Sequence, residues 1–314
     1  MCHHPYTRLL GITLLAAACS TQPQKASGST IQREIGCMGT VLTVEIQAHH
    51  RADAITASEL AIRTLEAAET RLSTWTADSE LSAVNQGTPP SGLLATELAS
   101  AAVWASLTAD AFQPQAGALI HAWDLRGSGR RPSATEIATA RVDRSIWEEG
   151  GFGKGAGLDQ ALQALAETDI QSAVLNLGGQ IAVLGAATSI QVSHPQHRDQ
   201  VIASFSIEHG SVATSGNSER GLIVNGQRIG HLLDPRSGLP APDFGSVTVW
   251  APSALAADCL STALYVMGPD AALDWAQHHQ QIEVLVLITT TTGLQVRATP
   301  KLKQRLHLIP SHSS

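Results

Sequence analysis

Aromatic residues are scarce in this chain, at 4% of 314 positions, and charged residues make up only 15%. The formal net charge is −7, with 20 Lys and Arg against 27 Asp and Glu, so no basic excess is present to hold a nucleic-acid backbone. Only four cysteines occur and none form a C-x-x-C pair, which removes zinc-ribbon and thioredoxin-like patterns. H-E-x-x-H and G-x-S-x-G are also absent, which argues against a zinc protease and an α/β-hydrolase esterase. What remains is a hydrophobic fraction of 43% with 26 glycines, enough for one large or two modest globular domains.

The first residues read as a targeting segment. Arg8 precedes an apolar run over 9–18, too short to remain in a bilayer as a spanning helix. The run closes on Ala16-Ala17-Ala18-Cys19, and small residues before a Cys resemble the bacterial lipoprotein signal. The expectation is a signal peptide over 1–18, a lipid on Cys19, a polar tether over 19–30, a folded domain over 31–309 and a tail over 310–314. That places the protein in the bacterial cell envelope, lipid-anchored and facing the periplasm, with inner or outer membrane open. A secretory signal cut after Ala18 is the alternative. Of the remaining cysteines, Cys37 and Cys259 could form a disulfide, or stay as two small buried thiols.

Periodicity gives the coarse fold. A strand is expected within 35–47, beginning at Cys37-Met38-Gly39-Thr40, then an amphipathic helix over 52–72. A short helix capped by Asp78, a helix over 93–112 and a short one over 133–141 follow. The segment 150–158, GGFGKGAGL, reads as a glycine loop feeding a helix over 159–167. Strands are expected on either side of Gly178-Gly179, at 190–193, 201–207, 245–251, 282–289 and 294–298, with helices over 253–267 and 270–278. Helices in pairs between groups of antiparallel strands predict the α+β class.

Three stretches carry candidate chemistry. Within 211–240, Asn225-Gly226 between apolar runs is a hairpin signal, and His231 and Asp234 fall at the end of its second strand. The glycine segment presents helix N–H groups beside Lys154, a cradle suited to an anion. It is neither a P-loop nor a dinucleotide fingerprint, and a merely flexible loop is equally compatible with it. The helix over 253–267 is apolar nearly all round yet contains Asp258, with Thr262 one turn on along the same face. A buried carboxylate needs a cation or several donors. Either Mg²⁺ or an arginine such as Arg236 or Arg220 could supply the charge. The pairs His49-His50 and His278-His279 point their side chains apart and read as surface.

In order and spacing, eight blocks resemble the ApbE family of FAD:protein FMN transferases. They run from Met38-Gly39-Thr40 through STWTADSELSAVN, AFQPQAGALIHAW, GGFGKGAGLD, NLGGQIAVLG and VATSGNSER to HLLDPRSGLPA and DCLSTALYVMG. The resemblance implies an ApbE-like, T-fold-like architecture that binds FAD with Mg²⁺. It also implies transfer of the FMN half to a Thr hydroxyl of an exported flavoprotein subunit of a membrane redox complex, with release of AMP. On matching positions it places the metal at Asp258, Thr262 and a main-chain oxygen of Gly151. Flavin contacts fall at Met38, Trp75 (where a Tyr is usual), Ala111, Phe112, Gln113 and Leu233, with Glu148 and Lys154 on the phosphate and nucleotide side. His231 matches the family's active-site histidine, and it or Asp234 would take the acceptor's proton.

The sequence departs from the pattern in two places. Gln113 stands where an Asp is usual, and the segment 141–149 is short, with Glu148-Glu149 ahead of Gly150-Gly151 in place of Asp-Leu. A metal-dependent FAD pyrophosphatase, or a flavin-binding lipoprotein without transferase activity, are the alternatives that these departures keep open.

Overall fold

The computed structural model describes residues 28–217, 221–224 and 226–309. The expected signal, Cys19, most of the tether, Arg220, Asn225 and the tail over 310–314 lie outside them. Among the described residues no helix is long and apolar enough to cross a membrane.

Chain entry is a hairpin of β1 (Ser29–Cys37) and β2 (Thr40–Ala48), paired antiparallel with Cys37 opposite Thr40. The single strand expected over 35–47 is therefore two, and β1 takes in the last two residues of the expected tether. Met38 and Gly39 form the turn, with φ of 50° and 68°, the left-handed pair that a two-residue hairpin of this hand requires. Next come α1 (Arg51–Leu72), α2 (Glu80–Asn85) and α3 (Gly92–Leu107). Ser79, not Asp78, caps α2, its hydroxyl accepting the Ser82 N–H at 2.9 Å. The helix expected over 93–112 stops at Leu107, because Ala109 and Asp110 adopt φ of 47° and 59° and turn the chain out of the helix.

Two short helices, α4 (Gly117–Trp123) and α5 (Ala134–Val142), pack together, and a capping box of Ser133 and Glu136 starts the second. A 3-10 turn (Glu149–Gly151) leads into α6 (Gly153–Ala166). The glycine segment is thus mostly helix rather than loop. Its glycines serve close packing: a Cβ on Gly155 would overlap the Ala254 carbonyl oxygen, and one on Gly157 would lie 3.0 Å from Leu65.

The strands β3 (Ser172–Leu177), β4 (Gln180–Ser193) and β5 (Val201–Ser215) form a meander. The strand expected at 190–193 is the far end of β4, continued past a register shift between Leu184 and Thr188. The segment expected to be one hairpin divides in two. β6 (Gly221–Val224) pairs β7 (Gln227–Gly230), and β8 (Leu233–Asp234) pairs β9 (Leu239–Pro240), both off the main sheet. Then follow β10 (Gly245–Ala251), α7 (Ala254–Met267), α8 (Pro269–Gln277), β11 (Glu283–Thr290) and β12 (Gly293–Ala298). The sequence pattern does not indicate the closing α9 (Pro300–Arg305), short and rich in Lys and Arg, or the two-residue β13 (His307–Leu308).

The main sheet is antiparallel throughout, in the order β1-β2-β3-β4-β5-β10-β11-β12, with β13 added against β5. In β11, Val284 and Val286 face α7, while Leu285 and Leu287 join the core under α9. Burial on both faces explains its unbroken apolar run. All residues of α7 are buried except Thr262 and Met267, so it is the centre of the largest core. The α+β reading holds. Cys37 and Cys259 are buried free thiols, and burial and nearby carboxylates push Cys37 up to about 12.

Candidate active site

The site forms where α6 begins and α7 passes beside it. Asp159, in α6, accepts the Ser253 hydroxyl at 2.6 Å and the N–H groups of Ala254 and Leu255 at 2.6 and 3.0 Å. A carboxylate at the positive end of α7 fixes the two helices in register. Sequence reading passed over Asp159 because an acidic residue early in a helix is unremarkable locally.

That register brings Asp258 of α7 to the first turn of α6. Asp258 is 5% exposed; its Oδ2 accepts the Gly155 N–H at 3.0 Å and its Oδ1 lies 3.5 Å from Lys154 Nζ. Neither expected arginine is seen beside it among the described residues. Arg236 is bound to Asp234, and Arg220 lies outside the described residues. On the next turn is Thr262, whose Oγ1 would be 3.5 Å from a Cβ on Gly151, with Phe112 at 2.9 Å from the same point. A side chain at residue 151 would therefore intrude on Thr262 and Phe112. Met38 completes this wall: its Cε and Sδ lie 3.6 Å from the Cβ positions of Gly153 and Gly157. The left-handed turn at Met38 thus sends a flexible thioether onto the start of α6.

Among the described residues no three His, Cys, Asp or Glu side chains gather as a metal group. The Asp258 carboxylate and the Thr262 hydroxyl lie one turn apart on α7, and Gly151 packs beside Thr262; oxygen donors of this kind suit Mg²⁺ better than zinc. The buried charge of Asp258, faced by one ammonium and one N–H, fits a cation at that position.

A second group lies ahead of the Gly150-Gly151 turn. Trp75 is exposed at 69%, with the Arg126 guanidinium 4.5 Å from its ring centre. Arg126 also meets Glu148 and Thr74, and reaches Glu149 at 3.4 Å. Glu148 is buried, and desolvation together with the adjacent Glu149 raises its carboxyl to about 7 despite Arg126. Arg126 and Thr74 were not singled out in the sequence, since nothing local links them to residues 148–149. Gln113 turns back on its own loop, donating to Asp110 at 3.1 Å and accepting the Gln115 N–H at 3.1 Å. Ala111 is buried in the core around α7, and Leu233 in a separate cluster with Leu119, Trp123 and Ile229.

His231 is half-buried between β7 and β8. Asp234 accepts the Arg236 N–H, Nε–H and Nη2–H at 2.9, 2.9 and 3.1 Å, so its carboxylate braces its own turn. Asn217 holds this segment beside α7: its side chain accepts the Leu232 N–H at 3.1 Å and donates to the Ala241 carbonyl at 2.9 Å. Its own N–H donates to the Tyr265 hydroxyl at 3.4 Å.

The sequence model of the ApbE family matches residues 38–286. The chain belongs to the ApbE family. A Haemophilus influenzae FAD:protein FMN transferase is 25% identical over 341 aligned positions, covering 94% of this chain and 95% of the relative. Another from Vibrio cholerae is 29% identical, covering 94% and 96%. Among solved structures, the flavin transferase ApbE from Vibrio cholerae superposes with a TM-score of 0.74 at 25% identity, over 88% of this chain and 99% of that one. The ApbE protein of Thermotoga maritima gives 0.75 at 26% identity, with the same coverages. The ApbE fold is thus present along most of the chain.

Proposed function

We propose that this chain is a FAD:protein FMN transferase that uses Mg²⁺ and modifies a Thr hydroxyl of an exported flavoprotein subunit, as a lipid-anchored protein of the cell envelope. The observation that carries the reading is the convergence of Asp258, Lys154, Thr262 and Gly151 where α6 begins. Relatives bearing the transferase name cover the same span of chain.

In this reading Asp258, Thr262 and the Gly151 carbonyl hold the metal. Bound there, Mg²⁺ would neutralise charge on the pyrophosphate oxygens of FAD. Lys154 adds a second positive charge, and the N–H groups opening α6 offer donors to a phosphate. Met38, Phe112 and Trp75 supply the apolar and aromatic surface for the flavin. His231 accepts the proton of the incoming Thr hydroxyl, while Asp234, engaged by Arg236, holds the adjoining turn. The Thr oxygen forms a bond to the FMN-side phosphorus, the anhydride bond breaks, and AMP leaves.

The test is production of AMP from FAD by the full chain with Mg²⁺, with and without a Thr-containing acceptor domain. Transfer gives AMP that depends on acceptor; a pyrophosphatase gives AMP and FMN without one. A flavin-binding protein gives neither. Acceptor-independent hydrolysis, or no turnover under any divalent metal, would contradict the proposal.

A further inference from the structure

Arg126 makes an unusual number of contacts for a residue outside any regular element. Its Nη2 meets Glu148 Oε1 and Thr74 Oγ1, with Glu149 Oε2 at 3.4 Å. Its Nη1 donates to the Thr74 carbonyl at 3.0 Å, and its plane covers Trp75. The Thr74 hydroxyl in turn donates to Glu149 Oε2. One guanidinium therefore binds two consecutive carboxylates, and does so directly ahead of Gly150-Gly151.

The segment ahead of that turn is held by Gln115 donating to the Arg144 carbonyl at 2.6 Å and by the Gly117 N–H donating to the Ile146 carbonyl at 3.1 Å. Residues 143–148 carry no helix or strand, and the 3-10 turn (Glu149–Gly151) is a single turn. Asn85 clamps Trp147 by donating to its carbonyl at 3.0 Å and accepting its N–H at 2.8 Å, and Glu148 N–H donates to the Pro114 carbonyl at 2.8 Å. Beyond Glu148, the next main-chain tie is Phe152 N–H to the Glu149 carbonyl at 3.0 Å, which lies within the turn. Besides the packing of Gly151 against Phe112 and Thr262, the side chains of Glu148 and Glu149 tie the turn to the rest of the protein, and both end on Arg126 and Thr74.

We propose that Arg126 is a positioning residue for metal binding: by clamping Glu148 and Glu149 it sets the Gly150-Gly151 turn, and with it Gly151, which packs beside Thr262. This rests on the assignment of Gly151, Asp258 and Thr262 to the metal.

Simple electrostatics and positioning predict opposite signs, which makes the idea testable. Removing a positive charge near a cation site should tighten metal binding if charge alone matters. If Arg126 positions the turn, its loss should weaken binding. The experiment titrates Mg²⁺ into the full chain by calorimetry, for the parent, Arg126→Gln, Arg126→Lys and Asp258→Ala, and measures the Mg²⁺ needed for half-maximal FAD turnover. Arg126→Gln is expected to weaken Mg²⁺ about tenfold, in line with residues that hold a ligand from behind. At saturating Mg²⁺ its kcat should stay within about threefold of the parent. Arg126→Lys keeps the charge but lacks the two-pronged fork, so it should weaken Mg²⁺ as well. It also serves as the test variant if Arg126→Gln does not fold. Binding by either arginine variant as tight as the parent's overturns the proposal. Unchanged Mg²⁺ binding in Asp258→Ala overturns the metal assignment beneath it, a failure distinct from that of Arg126.

Discussion

The Asp258 carboxylate accepts the Gly155 N–H at 3.0 Å and so ties the middle of α7 to the first turn of α6. The carboxylate is structural here, and in the proposed function it also holds the metal, so its removal has two expected effects. Asp258→Ala should reduce FAD turnover by at least about a hundredfold, since it removes the single carboxylate of the proposed metal set. It also leaves the Gly155 N–H without its acceptor, a loss of about 1–3 kcal/mol. Turnover assays and urea denaturation of one preparation separate the two effects.

Gly155→Ala tests the helix contact itself. Alanine raises helix propensity by about 1 kcal/mol over glycine. Here, however, the added Cβ would overlap the Ala254 carbonyl and lie 2.6 Å from the Leu255 Cα. Backbone atoms cannot rotate aside, so overpacking wins and a net loss of about 2 kcal/mol is expected. A stabilised variant in urea denaturation would show that the helices can separate freely.

Asp159→Ala removes three acceptor contacts at the start of α7. A lost charged cap costs about 1–2 kcal/mol. Because Asp159 also sets the register that brings Asp258 to Lys154, FAD turnover should fall more than stability alone accounts for. Asp159→Asn, which keeps an acceptor oxygen, should recover most of the stability.

Glu148 gives a pH dependence with a definite sign. Its carboxyl is raised from 4.5 to about 7 by burial first and by Glu149 second. The folded state therefore holds this proton more tightly than the unfolded chain does. The resulting stabilisation is complete below the unfolded value and is lost as pH rises through about 7. Glu148→Gln should flatten the loss of stability between those limits, measured as urea midpoints across pH. A parent curve that rises over that range would show Arg126 keeping Glu148 ionised.

Much of this architecture was legible in the sequence because local pattern and tertiary burial agree. The amphipathic spacing of 52–72 reappears as α1, and the all-round apolar helix carrying Asp258 as the buried α7. Reading failed where distance along the chain hides the cause. The glycines of 150–158 looked like a loop because their reason, contact with α7 and α1, lies about a hundred residues away on each side. The hairpin turn at Met38 was missed because a left-handed methionine has no local signature. Asp258 and Thr262 stand out as candidates within one helix, whereas Arg126 acquires meaning only once Glu148 and Glu149 fold against it.

The most direct test of the proposed activity uses the purified full chain, FAD, Mg²⁺ and a Thr-containing flavoprotein domain, with the acceptor examined by intact mass and by flavin fluorescence after denaturing electrophoresis. The expected result is an acceptor carrying FMN through its Thr, with one AMP released per flavin attached and neither product formed by Asp258→Ala. An unlabelled acceptor in the presence of bound FAD and Mg²⁺, or labelling undiminished in Asp258→Ala, would contradict it.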